Sequence, residues 1–475
     1  VSMQRAKQLK ADFDAWCKEA AGGMGEYVDV KEMDPEQRFA YKIHEFKIDE
    51  RETMESQGSL SKYRALRMIL TGPPGAGKSR TVRSIAMLRG QRARARAEKE
   101  ARQNRVSKDL MLKRSQEAAR GACLLAAPTG TASFQIKAGA TTLHRLFGIP
   151  IGAFRSNSST EALVRRTRIL KASSLLALDE FSMIGRKMLG KMKYRVEEAL
   201  GAESADVGVL KSMGGKDVML SGDPDQTAPI GDDSLHREGA SKKDGVQGTR
   251  DARGRTKKPP EDAVEGWVLS DSGLAFFHEF DDVVLLEQRH RLVDPEKENI
   301  AEGQKEAFVD DLTRFREVCE RLAELTITRE DIAWLARRNR SRLSAEERRL
   351  FDEAVLLMDT RKQRVERGGE VTQLDGADYK NLEELYKLAA RKGVPIVRFG
   401  SHHKKREGEE TMKAELMEDD DFGLAAELQM CVGARVILTR NMWIGAGLVN
   451  GSMGTVRHFV LSLIHISEPT RRGII

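Results

Sequence analysis

The sequence predicts an α/β protein organised on a parallel sheet, and three observations predict it. A short apolar run, Leu66 with Met68, Ile69 and Leu70, ends in a glycine-rich turn and is followed by helix-compatible sequence to about Leu88. Three more apolar runs, Cys123–Ala127, Leu175–Leu178 and Val218–Leu220, each stop at a motif rich in Thr, Asp, Gly or Pro. Unbroken apolar runs of this length suit strands covered on both faces, and motifs at their carboxyl ends suit a sheet with its working residues along one edge.

Bulk properties set the frame. At 475 residues the chain exceeds one ordinary core, so two or three domains are expected. Hydrophobic residues make up 40% and charged residues 32%, a globular composition with a heavily solvated surface. A net charge of +7 favours a polyanionic partner, because Lys and Arg set against phosphates release condensed counterions. Cys17, Cys123, Cys319 and Cys431 lie far apart, without the paired spacing of a zinc site or a disulfide framework, which suits a reducing compartment. No apolar run approaches a membrane span, so no membrane partner is expected.

Along the chain, residues 1–32 read as a polar tail. The first strand, turn and helix follow from Tyr63. Arg89 to Arg120 is dense in Arg and Lys with Ala between them and reads as an inserted charged helix or helical pair, either a solvated face or a DNA-facing one. Asp232 to Gly266, rich in Gly, Lys, Asp and Pro, reads as a disordered loop. Beyond Leu286 the pattern turns helical: Leu312, Phe315, Val318, Leu322 and Leu325 recur at spacings of three and four, a stripe expected to pack in a core. Ala354–Met358 and Ala434–Leu438 read as strands of a second domain.

The chemistry begins at Gly72-Pro73-Pro74-Gly75-Ala76-Gly77-Lys78-Ser79, which fits G-x-x-x-x-G-K-[ST]. Such glycines let backbone N–H groups wrap phosphates, while Lys78 reaches the β and γ oxygens and the Ser79 hydroxyl ligates magnesium. Arg80 follows at the start of the helix. The strand before the loop and the helix after it are the context this motif needs, and they imply ATP with Mg2+. Leu175–Leu178 then ends in Asp179 and Glu180. The first carboxylate serves the hydrated metal, and the second orients and deprotonates the attacking water. Gly222-Asp223-Pro-Asp-Gln226 ends the next apolar run. Its residues make a turn, and Gln226 at that place bonds both the γ-phosphate and the water, which makes it a sensor of nucleotide state.

These residues and their order resemble the Pif-type (petite integration frequency) helicases of superfamily one. Asp179-Glu-Phe-Ser-Met183 and Gly222–Pro229 are similar to that family's second and third motifs. Ala127-Pro128-Thr129-Gly130-Thr131-Ala132 and Ala140–His144 are similar to its DNA-facing segments. Met33–Gln37 resembles its adenine-reading glutamine motif, and Leu286–Arg291 the motif whose arginine, here Arg291, reaches the γ-phosphate. Val432–Asn441 and Gly447–Gly451 look like its second-domain signature, and the likeness is nearest the branch that includes Helitron-type helicases.

The resemblance implies two RecA-like domains, the first over 33–285 and the second over 286–459. It implies a monomeric, ATP-driven motor that moves 5′→3′ on single-stranded and forked DNA. Such a motor serves repair, recombination or telomere maintenance in the nucleus, or alternatively the mitochondrion. It also implies nucleotide contacts at Gln37 and Gly72 through Arg80, metal ligation by Ser79 and Asp179, and catalytic roles for Lys78, Glu180, Gln226 and Arg291. DNA contacts are implied at Pro128, Thr129, Thr131 and His144, although His144 could equally cap the helix that follows it.

Two features depart from the family. Gln226 is followed by Thr-Ala-Pro where the family has Leu-Pro-Pro, and residues 460–475 match nothing in it. The family's glutamine-glycine DNA motif and second arginine finger are not found before that tail, which reads as an artefact of a truncated gene. An incomplete second domain is therefore expected, with nucleotide binding stronger than unwinding. A RecD-like helicase shares the acid-Ser-Met and Gly-Asp-Gln features but lacks the Thr-Leu-His segment. A P-loop ATPase that moves no nucleic acid needs no DNA-facing segment. A DNA- and nucleotide-binding remnant without unwinding activity is the third alternative.

Overall fold

The computed structural model describes residues 30–150, 153–204, 212–237, 239, 264–288, 290, 305–339, 341–351, 363–367, 370–375, 377–400, 427–439, 441–443 and 446–459. The chain divides into two units, Val1–Glu298 with Thr439–Ser452, and Asn299–Leu438 with Met453–Ile475. The boundary expected at 286 thus falls later, and part of the segment read as a second-domain signature belongs with the first unit.

The first unit opens with helix α1 (Pro35–Ser56) and strand β1 (Arg67–Thr71), followed by the long α2 (Lys78–Gln103) and α3 (Lys108–Gly121). Then come β2 (Cys123–Ala127), α4 (Gly130–Ile136), β3 (Thr141–Thr142), α5 (Leu143–Phe147) and α6 (Thr160–Ala172). The last elements are β4 (Leu175–Leu178), α7 (Arg186–Ser204), β5 (Asp217–Gly222), α8 (Gly266–Phe277) and β6 (Asp282–Leu285). The six strands form one sheet in the order β3-β2-β4-β5-β1-β6. Every pairing is parallel. This is the P-loop α/β sheet of a RecA-like domain, and all four apolar runs became strands of it.

Alternation explains why those runs are unbroken. Leu176, Leu178, Val218 and Leu220 pack into one core with Phe147, Leu170, Met192 and Phe276. Leu175, Ala177, Met219, Met68 and Leu70 pack into another with Val82, Ile85 and Ile136. Successive strand residues point to opposite faces, so a sheet covered on both sides needs apolar residues throughout. The edge strands lack that signature. β3 is two residues long, and Val283 and Leu285 of β6 are exposed.

The charged insert is a helical pair, as expected. The end of α2 runs beside α3, where a Cβ on Gly90 would sit 3.1 Å from the Ala119 carbonyl. Three of its arginines are paired with acids: Arg92 with Asp49 at 3.0 Å, Arg96 with Glu55 at 2.7 Å and Arg94 with Glu98 at 2.9 Å. Pairing of this kind favours a solvated face over a DNA-facing one. Arg89 is not on that surface at all. It is buried against Asp217 at 2.8 Å, at the amino end of β5 and so opposite the motif-bearing edge.

In the second unit, α9 (Lys305–Ala323) and α10 (Arg329–Leu335) are joined by an Arg321–Asp331 ion pair at 2.7 Å, and Thr328 and Asp331 form a capping box. The helix predicted from the Leu312–Leu325 stripe forms, but the stripe is not a core. Val318 is buried, while Phe315, Leu322 and Leu325 are exposed. Periodicity reports a helix face, whereas burial needs a second layer on that face, and none of the described residues supplies it.

The remaining helices are α11 (Ala345–Leu350) and α12 (Ala377–Lys392). The strands β7 (Gln363–Arg367), β8 (Glu370–Asp375), β9 (Val397–Gly400), β10 (Glu427–Met430), β11 (Arg435–Ile437) and β12 (Met453–Thr455) pair antiparallel in twos. Cys431, Ala434 and Ala389 make a small core with Leu385, Leu388 and Ile396. β11 lies within the Ala434–Leu438 run. The Ala354–Met358 run, most of residues 1–32 and the 460–475 tail lie outside the described residues.

Candidate active site

The loop after β1 is shaped by its glycines. Gly72, Gly75 and Gly77 have φ of 147°, 87° and 85°, values open to Gly at little cost and strained for other residues. Gly72 is further constrained, because a Cβ there would lie 2.3 Å from the Leu286 carbonyl oxygen, and Leu286 N–H donates back to Thr71 O at 2.8 Å. The loop is thus locked to the chain leaving β6. Gly77 in the left-handed conformation starts α2, so the unpaired N–H groups of that helix face the loop's hollow, a ready anion site.

Lys78 Nζ donates to Gly72 O at 2.5 Å and Pro73 O at 3.0 Å, which sets its charge across the loop. Ser79 Oγ donates to Asp179 Oδ2 at 3.3 Å. Two motifs about a hundred residues apart therefore meet, because β4 and β1 both flank β5 in the parallel sheet and expose their carboxyl ends on one edge. Asp179 is buried, and that burial pushes its carboxyl above the ordinary carboxylate range.

Glu180 follows with φ 54° and ψ 48°, the left-handed region, where a non-glycine residue is strained. Glu180 lines a cleft of about 220 Å³ with Thr129, Thr131, Ala132, Gln135, Ser182, Met183, Gln226 and Thr227. On the cleft's far side the Gly222–Gln226 turn is closed by Asp223, which accepts from Asp225 N–H at 3.1 Å and from Gln226 Nε2 at 3.2 Å. The motif forms the turn that its Gly, Asp and Pro suit, and Gln226 lines the cleft from it. Gly222 allows it, since a Cβ there would lie 2.8 Å from the Phe181 nitrogen.

The predicted residues are thus mostly gathered on one edge, with specific differences. Gln37 is buried, and its amide donates to Ala76 O at 3.2 Å, so it shapes the phosphate loop directly. Arg80 is exposed on α2. Thr129 uses its hydroxyl to cap α4, accepting from Ala132 N–H at 3.1 Å, while Pro128 sits just before that cap. His144 lies in α5, outside the cleft lining, and burial together with Lys191 lowers its pKa. Arg291 lies outside the described residues.

Sequence reasoning missed His290 and Asp34. His290 N–H donates to Gly75 O at 2.7 Å and its ring pairs with Asp34 at 2.5 Å, closing a clamp over the loop from both ends of the unit. The signal was present in Asp34 three residues before Gln37 and His290 beside Arg291, but neither residue type announces such a contact. Among the described residues no cluster of acids, His or Cys forms a separate metal site, and no helix is long and apolar enough to cross a membrane.

The chain is similar to one family model over part of its length and to several solved structures. Residues 107–242 match the family model described as PIF1-like helicase. A Pif1 helicase from Candida albicans is 15% identical, with 92% of this chain and 71% of that one aligned at a TM-score of 0.46. A Bacteroides Pif1 in complex with ADP-AlF4 is 18% identical over 90% of this chain and 70% of that one, at 0.39. A structure described as DNA unwinding at forked dsDNA by two coordinating Pif1 helicases is 18% identical over 90% and 72%, at 0.45. No curated protein matches the chain.

Proposed function

We propose that this chain, a Pif-type helicase by its motifs and by the match over residues 107–242, is an ATP-dependent DNA helicase whose nucleotide site is the loop Gly72–Ser79. The observation that carries the reading is the meeting of Ser79 and Asp179 at the start of α2, with Glu180 and Gln226 across one cleft. The loop with Lys78 suits a nucleoside triphosphate, and Glu180 with Gln226 suits an attacking water.

In this reading the α2 N-terminus and Lys78 hold the β and γ phosphates. Ser79 Oγ and Asp179 Oδ2 are hard oxygen donors at the loop, the donor set Mg2+ prefers, and the ion when bound offsets phosphate charge. Glu180 takes the proton of the attacking water, and Gln226, held by Asp223, orients that water. Arg291 is assigned to the γ-phosphate by motif. A γ-phosphate bound by Lys78, Gln226 and Arg291 favours a closed cleft that hydrolysis releases, and this difference in affinity drives translocation. Single-stranded DNA is held through its backbone and by stacking, without sequence reading. The 5′→3′ polarity, action as a monomer and service in nuclear or mitochondrial DNA maintenance complete the proposal.

The test is ATP hydrolysis with and without single-stranded DNA, joined to unwinding of forks with a single 5′ or 3′ tail. Nucleotide binding stronger than unwinding is expected, with DNA-stimulated turnover and fork opening confined to 5′-tailed forks, and Glu180→Gln slowed on the order of 10²–10⁴-fold while still binding nucleotide. Hydrolysis by Glu180→Gln at the parent rate would remove Glu180 as the base.

A further inference from the structure

Two motifs more than three hundred residues apart in the chain touch within the first unit. The loop Thr439–Ser452 is closed by its own hydrogen bonds. Met442 and Trp443 N–H donate to Leu448 O at 2.8 and 3.0 Å, and Ser452 Oγ donates to Gly447 O at 2.7 Å. It lies on α4, and three glycines make that approach possible. A Cβ on Gly130 would fall 1.9 Å from Asn441 Oδ1, so the Asn441 amide occupies the space of a side chain at 130. A Cβ on Gly447 would lie 2.7 Å from the Phe134 ring, and one on Gly451 2.9 Å from Thr131 Oγ1. Two hydrogen bonds fix the register. Asn441 Oδ1 accepts from Asn450 N–H at 2.9 Å, and Asn450 O accepts from the Thr131 hydroxyl.

Thr131 also lines the cleft beside Glu180 and Gln226. The chain of contacts therefore runs Asn441, Asn450, Thr131, cleft. We propose that Asn441 is a positioning residue: by holding the Asn450 turn on α4 it sets Thr131 at the cleft rim, so that the loop and the nucleotide side respond as one body. A strand seated on the loop then shifts the cleft through α4, whereas a loop cut free of α4 leaves the cleft unaware of it. This inference rests on the helicase reading for its functional arm, but its structural arm needs neither nucleotide nor DNA.

Asn441 is exposed, so its replacement leaves the core untouched. Asn441→Leu keeps the size and loses the acceptor, and Asn441→Asp keeps an acceptor. Hydrogen–deuterium exchange on the full chain without ligands is expected to speed up in Asn441→Leu both at the Asn450 amide and through residues 131–136, with Asn441→Asp like the parent. Gly130→Ala, which displaces the same amide, is expected to give the same exchange pattern from the other side. With ATP, Asn441→Leu is expected to keep its DNA-free hydrolysis while the DNA concentration for half-maximal stimulation rises on the order of tenfold, the worth of one hydrogen bond.

Faster exchange confined to Asn450, with residues 131–136 unchanged, overturns the proposal. So does an unchanged DNA response in a variant whose exchange has moved. A parent chain that DNA does not stimulate would sink the helicase reading instead, and the exchange result would still decide whether Asn441 positions α4.

Discussion

Asp217 is the residue whose loss the structure makes most costly. It opens β5, is fully buried, and accepts from the Tyr63 hydroxyl at 2.8 Å and Leu66 N–H at 2.9 Å on one oxygen, and from Arg89 at 2.8 Å on the other. Arg89 lies on α2, so one carboxylate ties the strand β5, the entry to β1 and the middle of the phosphate-loop helix. Burial and the neighbouring carboxylate push the Tyr63 hydroxyl upward, which keeps it a donor. Asp217→Ala leaves a buried guanidinium without its partner, a loss of about 3–5 kcal/mol, and orphans two donors at about 1–3 kcal/mol each. These terms share one site and do not add fully, so about 5 kcal/mol is expected. That is a large part of the roughly 5–15 kcal/mol that holds a domain together.

At about 2–4 °C per kcal/mol for a large domain, the first unit should melt about 10–20 °C lower. Thermal unfolding followed by circular dichroism, with urea titration as a check, measures it. The double variant Arg89→Met with Asp217→Leu removes both charges, and should recover several kcal/mol of the loss. Nucleotide affinity measured well below the melting point should hold within about threefold, because the network sits at the opposite end of the sheet from Lys78. A melting point for Asp217→Ala within about 2 °C of the parent, or a double variant as unstable as the two single losses summed, would refute the argument.

His44 gives a pH test. It is fully buried, and burial followed by the Arg89 charge holds its pKa well below the usual imidazole value. Arg89 donates to its Nδ1 at 3.0 Å, so the neutral ring carries its proton on the buried Nε2. Above about pH 6.5 folded and unfolded chains are both neutral there. As pH falls below that value only the unfolded chain gains the proton, and stability drops by up to about 1.4 kcal/mol per unit. His44→Gln, which still offers Arg89 an acceptor, should flatten the stability profile between about pH 6.5 and 5, and an unchanged slope would assign the loss to other groups. Gly77→Ala forces φ 85° on a residue with a Cβ, placed 2.5 Å from the Gln37 amide. Nucleotide binding by calorimetry should weaken at least about tenfold, the equivalent of about 1–2 kcal/mol of left-handed strain. With Gln37→Ala as its own baseline, adding Gly77→Ala should cost less affinity than it costs in the parent, and an equal cost would leave backbone strain as the sole cause.

The first unit was legible because its physics repeats locally. A strand covered on both faces must be apolar at every position, so Leu175–Leu178 and Val218–Leu220 declared themselves, and a phosphate loop needs Gly where φ is positive, so Gly72, Gly75 and Gly77 did too. β3 and β6 were hidden because an edge strand needs no such run. The stripe Leu312–Leu325 was misread for the converse reason. Helical spacing is a property of one segment, but burial belongs to a pair, and Phe315 and Leu322 meet no second layer among the described residues.

The site was legible to the extent that a residue's role is written in its own type. Lys78, Ser79, Asp179 and Glu180 carry chemistry that few other side chains could supply. Gln37, His290 and Asp34 instead act by contact, and their clamp on Ala76 and Gly75 exists because strand order brings β6 beside β1 and α1 across both. Glu180 joins the two kinds. Its type announced a base, but its left-handed backbone and its place on the cleft were not written in the sequence, and the residue after it, Phe181, lies so near Gly222 of the neighbouring strand that a Cβ there would fall 2.8 Å from its nitrogen. This closeness joins the proposed base to the Gln226 turn. Any change that lets Glu180 relax should therefore disturb the sensor as well, and enlarging Gly222 is the most direct way to separate hydrolysis from binding.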